Sequence, residues 1–405
     1  MRPYLVRLAL FVFALLGVIA GFDAFIDPYD VFGTPTVDGI NRVKHGIRTH
    51  TRTAKAYVVR RVQPKTIILG SSRAESAFRP SHPGFTRLPV YNLAFSGAGI
   101  YEVMRYFQHA VSVAPVEEAV IALDFGMFDP RTHPAWDFKE ERLAVDSTGR
   151  PQPTPWADLA SLLLSGDALK ESWKSLRQQR AHRTTYGPDG LRDESFDIPE
   201  ILNEYGGHRK TFLGNEQMFA CLYAGYGGHM AFTDTSRHLD TLDLARQIMD
   251  LAVEKKVRLT LLIPPLHVRH LETLHQGGVW SSFEEWKRSL TALAAQRDIP
   301  LWDFAQANPI TTEELPPLGD RSTAMRWFRE SSHALSSAGS AALDRIYGVG
   351  LPAYGRQLRP DNIDFALAQD REALSAWHVS HSDDVTEIRS LFPRCAPGQT
   401  RYNSR

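Results

Sequence analysis

Thr66-Ile67-Ile68-Leu69-Gly70-Ser71-Ser72-Arg73-Ala74-Glu75 reads as a strand that halts on small residues and turns into a helix. Thr66 to Leu69 is a short β-branched and aliphatic run, the composition of a buried strand. Gly70 and two serines end it, and Arg73-Ala74-Glu75 opens a helical pattern. A junction of this kind sets the serines at the carboxyl edge of a sheet. Open α/β folds bind ligands at that edge, with helix N-terminal amides pointing outward. Read alone, the junction fits a reactive hydroxyl beside backbone donors, an anion site, or a plain tight turn.

Outward from it, strand and helix patterns alternate. Residues 90–95 read as a second strand ending in Ser96-Gly97-Ala98-Gly99, and 119–125, 257–263 and 301–304 as three more. Helical spacing of apolar residues covers 101–113, 239–255 and 336–347. This alternation argues for an α/β fold with a parallel, doubly wound sheet. The stretch 130–238 breaks the rhythm, with a helical pattern over 156–180 and Gly- and aromatic-rich pieces at Tyr205-Gly206-Gly207 and 223–228. Inserts at the functional edge of a sheet are often lids or substrate walls. The chain therefore divides into 1–22, a membrane segment; 23–64, a juxtamembrane linker and basic helix; 65–349, the α/β body with its insertion; and 350–405, a peripheral tail with one short helical pattern. The basic segment (Arg42, Lys44, Arg48, Arg52, Lys55, Arg60, Arg61) reads as a solvated helix face.

Residues 8–22 carry no charge; Arg2 and Arg7 precede them and Asp23, Asp27 and Asp30 follow. Residues 4–22 would span about 28 Å as a helix, just enough to cross a bilayer. Positive charge before and acid after predict a cytoplasmic N-terminus and an exported body. A retained single-pass anchor in the cytoplasmic (inner) membrane is one outcome. A cleaved signal peptide is the other, because Val18-Ile19-Ala20 resembles a small-residue cleavage site. Over the whole 405 residues, 43% are hydrophobic and 23% charged, which is ordinary globular composition. Basic and acidic residues are balanced at 46 each, so nothing favours a nucleic-acid partner. Cys221 and Cys395 form no metal-spaced cluster and could pair in an oxidising compartment.

A second decisive stretch is Arg326-Trp327-Phe328-Arg329-Glu330-Ser331-Ser332-His333, directly before the last predicted helix. On a tight turn, Glu330 can meet one nitrogen of His333 and leave the other free to take a proton from a hydroxyl. A serine needs such a base, and the base needs an orienter. Glu-x-x-His is common as a surface pair. Its meaning here comes from its place on the same predicted sheet edge as Ser72.

Strand–Gly-x-Ser, Asn-x-x-x-Ser-Gly, a hydrophobic strand with a polar end, and acid-x-x-His near the C-terminus together resemble the SGNH/GDSL-type hydrolases. The resemblance covers roughly 65–126 and 257–347 and implies a three-layer α/β/α sandwich with a flavodoxin-like sheet. Gly70-Ser71-Ser72 matches the first block, which makes Ser72 the nucleophile, with His333 as base and Glu330 as orienter. Asn92-Leu93-Ala94-Phe95-Ser96-Gly97 matches the second, where the Gly97 amide, with that of Ser72, would hold an oxyanion. The departure is the third block: Leu123-Asp124-Phe125-Gly126 lacks the family's Asn. Loss of one oxyanion donor costs about 2.7–4 kcal/mol of transition-state stabilisation. Arg73 is the expected substitute; Asp124, an anion, is not. Asn92 and Asp124 are expected to line the substrate site, together with His267 and Arg269 from Pro264-Pro265-Leu266-His267-Val268-Arg269-His270.

An exported, membrane-tethered domain of this type is similar to accessory proteins of alginate O-acetylation and teichoic-acid D-alanyl transfer. That likeness implies a serine esterase or acyltransferase acting on acyl (acetyl) esters of cell-surface glycans, alongside a multispanning membrane acyltransferase. The alternative is a non-catalytic scaffold or glycan-binding protein. No cofactor is implied. A metal held by His267, His270 and His275 is the weaker reading of those histidines, with no convincingly spaced carboxylate. Trp280, Phe283 and Trp286 have helical spacing and read as core.

Overall fold

The computed structural model describes residues 2–153, 156–181, 185–350 and 354–395, which group into two compact units. The first holds residues up to 63, 108–115 and 136–193; the second holds the rest. The insertion expected at 130–238 is thus divided: 136–193 folds with the N-terminal residues, and 194–238 with the α/β body.

In the first unit, α1 (Arg2–Ile26) is long and apolar enough to cross a membrane. Its last turn enters the unit, where Asp23 and Ile26 are fully buried. The chain then reverses at Asp27, whose carboxylate accepts from the Val31, Phe32, Gly33 and Thr34 amides. Helix α2 (Thr51–Val62) corrects the expected solvated face in part: Arg42, Arg48 and Arg61 are exposed, but two of the other cations are buried. Arg52 and Lys55 are buried with it, and Arg52 pairs with Asp137 at 3.5 Å. Such cations tolerate burial only when paired. The helical pattern at 156–180 is two helices, α5 (Trp156–Leu164) and α6 (Gly166–Gln178). Ser165 separates them by capping α6, its hydroxyl accepting from the Ala168 N–H at 3.1 Å.

The second unit is built on a six-stranded sheet. Its strands are β1 (Thr66–Leu69), β2 (Val90–Asn92), β3 (Glu118–Ala122), β6 (Arg258–Ile263), β7 (Leu301–Asp303) and β10 (Arg356–Leu358). The order is β10-β7-β6-β3-β1-β2, parallel except for β10. The near-continuous apolar runs of β1, β3 and β6 are buried apart from Arg258 at the start of β6, as strands covered on both faces must be. Chain direction across the sheet reverses between β1 and β3, a switch point that opens a crevice at their carboxyl ends.

The helices of this unit are α3 (Ser72–Ala77), α4 (Ile100–Val113), α7 (Asp197–Asn203), α8 (His208–Ala224), α9 (Thr241–Glu254), α10 (Val268–Gln276), α11 (Trp280–Ala295), α12 (Ser336–Tyr347), α13 (Ile363–Ser380) and α14 (Ser382–Arg389). Residues of α4 from 108 onward group with the first unit. Two short hairpins complete it: β4 (Thr233–Asp234) with β5 (Leu239–Asp240), and β8 (Phe328–Glu330) with β9 (His333–Ala334). Phe283 and Trp286 are buried against Phe125, as expected of core.

The C-terminal segment is not a peripheral tail. It supplies β10, and α13 buries Leu367, Leu374 and Trp377. Lys287 of α11, fully buried, donates to Asp303 of β7 at 2.8 Å and to Asp370 of α13 at 3.2 Å. Cys395 closes a disulfide to Cys221 of α8. That bond and α1 together indicate a body outside the cytoplasm.

Candidate active site

Gly70 makes the turn out of β1 at φ +144°, and a Cβ there would press on Ala74 Cβ at 2.8 Å and the Ala122 carbonyl at 2.9 Å. Only glycine lets the chain pass so close to β3. Ser71 then caps α3, its Oγ accepting from the Arg73 N–H at 3.2 Å and donating to Asp124 at the end of β3. Ser72 is therefore the first helical residue, at the carboxyl edge of the sheet and beside the switch point. Its amide is one that an α-helix leaves unpaired.

His333 arrives on the β8–β9 hairpin. Glu330 and His333 are cross-strand partners, so two residues three apart face one another. His333 Nδ1 donates to Glu330 Oε1, which fixes the tautomer, and His333 Nε2 accepts from Ser72 Oγ at 2.7 Å. Glu330 also accepts from the Ser332 amide at 2.8 Å and the Ser332 hydroxyl at 3.1 Å. Burial pushes the Glu330 carboxyl up, but the His333 imidazole, Arg329 and the Ser332 amide outweigh it and hold the carboxyl down at about 2. Burial lowers His333 below its ordinary value despite the pull of Glu330. At neutral pH the pair is a carboxylate and a neutral imidazole, the state a general base requires.

The hairpin is held from three sides. Arg329 pairs with Asp197 of α7. The Arg326 and Trp327 amides donate to Glu313 at 2.6 and 2.9 Å. Ser331 Oγ donates to Asn215 of α8 at 2.9 Å, and Phe212, Phe328, Met325 and Ala338 form one apolar cluster beneath. Helix α8, within the insertion, thus buttresses the hairpin.

Arg73 links the two halves. Its Nε donates to the Ser332 carbonyl at 2.8 Å, and its Nη1 lies 3.1 Å from Asp124 Oδ1. Burial opposes the guanidinium charge, but Asp124 more than compensates and raises its pKa. Nη2 carries no hydrogen bond among the described residues. Gly97 turns at φ +68° after β2, two residues past Phe95, whose amide donates to the Gly70 carbonyl at 3.2 Å. This places the Gly97 loop beside the β1–α3 junction.

Four expected substrate contacts are corrected by their surroundings. Asn92 is fully buried and donates to the Ala74 and Phe78 carbonyls at 2.9 and 3.1 Å, tying α3 to β2. Asp124 is buried and engaged by Ser71 and Arg73. His267 is buried, with Nδ1 accepting from the Arg269 amide at 3.2 Å and Nε2 donating to the Glu313 carbonyl at 2.8 Å. Arg269 is buried in a pair with Glu216 at 2.7 Å, with Asp384 and Glu387 also on it. Hydrophilic residues at a sheet edge face inward as readily as outward, and sequence carries no sign of which.

Ser71 and Ser332 are the site residues that sequence reading missed. Ser71 was legible as a helix-capping residue type; Ser332 was not. Behind Arg73 lies a cavity of about 20 Å³ lined by Phe219, Tyr223 and His270, where Tyr223 Oη meets His270 Nε2 at 2.9 Å. The larger cavity, about 510 Å³, lies at the opposite, amino edge around Arg258, Thr260 and Trp302.

Comparison with protein-family models gave no match, and the search of curated proteins found none similar to this chain.

Proposed function

We propose that this protein is a serine-dependent esterase or O-acyltransferase of SGNH/GDSL type, anchored in the cytoplasmic membrane by α1, with a three-layer, flavodoxin-like body facing outward. The observation that carries the reading is the continuous chain from Glu330 through His333 to the Ser72 hydroxyl. Ser72 Oγ attacks the ester carbonyl carbon as its proton passes to His333 Nε2. The imidazolium, held by Glu330, returns that proton to the departing alcohol oxygen, leaving an acyl ester on Ser72. Water or a sugar hydroxyl then attacks that ester, giving its proton to His333, and Ser72 recovers it. The amides of Ser72 and Gly97 have no partner among the described residues and serve as oxyanion donors, with Arg73 Nη2 standing for the family's amide.

The acyl group is acetyl and the acceptor or substrate an extracytoplasmic glycan, beside a multispanning membrane acyltransferase. The disulfide supports the outward placement, and the resemblance supplies the substrate class. A synthetic acetyl ester tests the chemistry. Turnover should be lost in both Ser72→Ala and His333→Ala, while equal turnover in wild type and Ser72→Ala would sink it.

One observation favours a second reading, a scaffold or glycan-binding protein without turnover. A buried carboxylate, Asp124, sits where an amide donor is expected. On that reading, cells carrying Ser72→Ala would modify their surface glycans as wild-type cells do.

A further inference from the structure

Glu272 and His275, one turn apart on α10, face His378 near the end of α13. The carboxylate oxygen and one nitrogen of each ring lie within 4.8 Å of one another. Glu272 is fully buried, yet no lysine or arginine pairs with it among the described residues; its neighbours are Gln276 and the two imidazoles. A buried carboxylate without a cation is costly unless a protonated partner or a metal neutralises it.

The geometry points to a divalent metal site of the zinc type, formed by Glu272 Oε2, His275 Nδ1 and His378 Nε2. The Gln276 amide donates to Glu272 Oε1 at 2.6 Å and so turns Oε2 toward both rings, the role of an outer partner in a metal centre. Glu272 Oε2 lies 3.7 Å from His275 Nδ1 and is in contact with His378 Nε2. Tetrahedral zinc with bonds of about 2.0–2.1 Å sets its ligands about 3.3 Å apart, so small side-chain rotations complete the site. His275 is 46% exposed, which leaves the fourth position to water and gives ions a path in. Two imidazoles and one carboxylate suit Zn²⁺ or its borderline neighbours over Ca²⁺ or Mg²⁺. Of the three histidines in the weaker metal reading of the sequence, His267 and His270 point into the core, and only His275 belongs to this cluster. Bound metal would pin α13 to α10.

The test uses the full chain purified in detergent and stripped with EDTA. Titration with Zn²⁺ should show one ion bound per chain, and Co²⁺ should give the visible absorption of a tetrahedral nitrogen–oxygen site. Zn²⁺ should raise the melting temperature. His275→Ala alters an exposed side chain, and it should weaken Zn²⁺ binding by more than about tenfold, since even outer partners cost that much. It should also abolish the Co²⁺ band and the thermal shift. His378→Gln should do the same. Wild-type protein that binds no Zn²⁺ at 100 micromolar, or variants that bind it as wild type does, would overturn the assignment.

Discussion

Replacing Glu330 by Gln keeps the size of the side chain but removes the anion that selects the His333 tautomer. The amide can then donate to Nδ1 and leave the proton on Nε2, facing Ser72. We expect kcat for ester turnover to fall by about 10⁴ with KM little changed, as when the orienting carboxylate of such a triad is neutralised. Since His333 titrates below its ordinary value, kcat/KM should rise with pH along a limb below 6.5 and be flat at neutrality. A limb centred above 7 would mean that some other group is the base. Arg73→Ala should cost about 10²–10³ in kcat if Nη2 steadies the oxyanion. Retention of full kcat would leave the two backbone amides as the whole hole.

At the scale of elements, the site depends on how closely α12 approaches α3. Gly339 lies on α12 where a Cβ would come within 2.0 Å of the Ala77 carbonyl. Gly339→Ala should push α12, and the β8–β9 hairpin that leads into it, away from Ser72. We expect a loss of about 1–3 kcal/mol in unfolding free energy, typical of overpacking, together with a fall in kcat. Urea denaturation and turnover measured on one preparation check both.

The five parallel strands of the main sheet and most helices were legible because their apolar periodicity is strong, whereas the short hairpins at 233–240 and 328–334 were not. Ser336–Tyr347 has the bounds that its pattern predicts, and Thr66–Leu69 likewise. What escaped is what periodicity does not encode. The edge strand Arg356–Leu358 is short and polar, and α2 buries Arg52, whose partner Asp137 lies 85 residues away. That Ser72, Glu330 and His333 meet was legible from residue type and their place on one sheet edge. The polar residues that face inward at the same edge read identically to ligand contacts.

For the whole molecule, two perturbations report on how the second unit is held. The Cys221–Cys395 bond closes a loop over a separation of 174 residues, worth about 5 kcal/mol in the chain-entropy limit. Reduction should lower the melting temperature, with the C-terminal helices first to lose protection from hydrogen exchange. Acid should act through His267, held down near 3 by burial, and His270, held well below its ordinary value. Between pH 6.5 and about 3 the unfolded chain takes up protons on these residues that the folded chain refuses. Their contribution therefore falls as pH drops, by up to about 1.4 kcal/mol per pH unit for each. Glu330 acts lower: its depressed carboxyl stabilises the fold above its unfolded value and loses that contribution as pH falls through about 2. Denaturant midpoints between pH 7 and 4 should decline. Midpoints that rise on acidification would contradict this account of the buried histidines.

The proposal as a whole requires that the Ser72 hydroxyl be a nucleophile activated by His333. Intact-mass spectrometry after treatment with a fluorophosphonate reads this directly. Folded wild-type protein should gain one adduct, mapped by peptide sequencing to Ser72 and lost in Ser72→Ala and His333→Ala. Folded wild-type protein that gains no adduct, or an adduct that persists in Ser72→Ala, would contradict it.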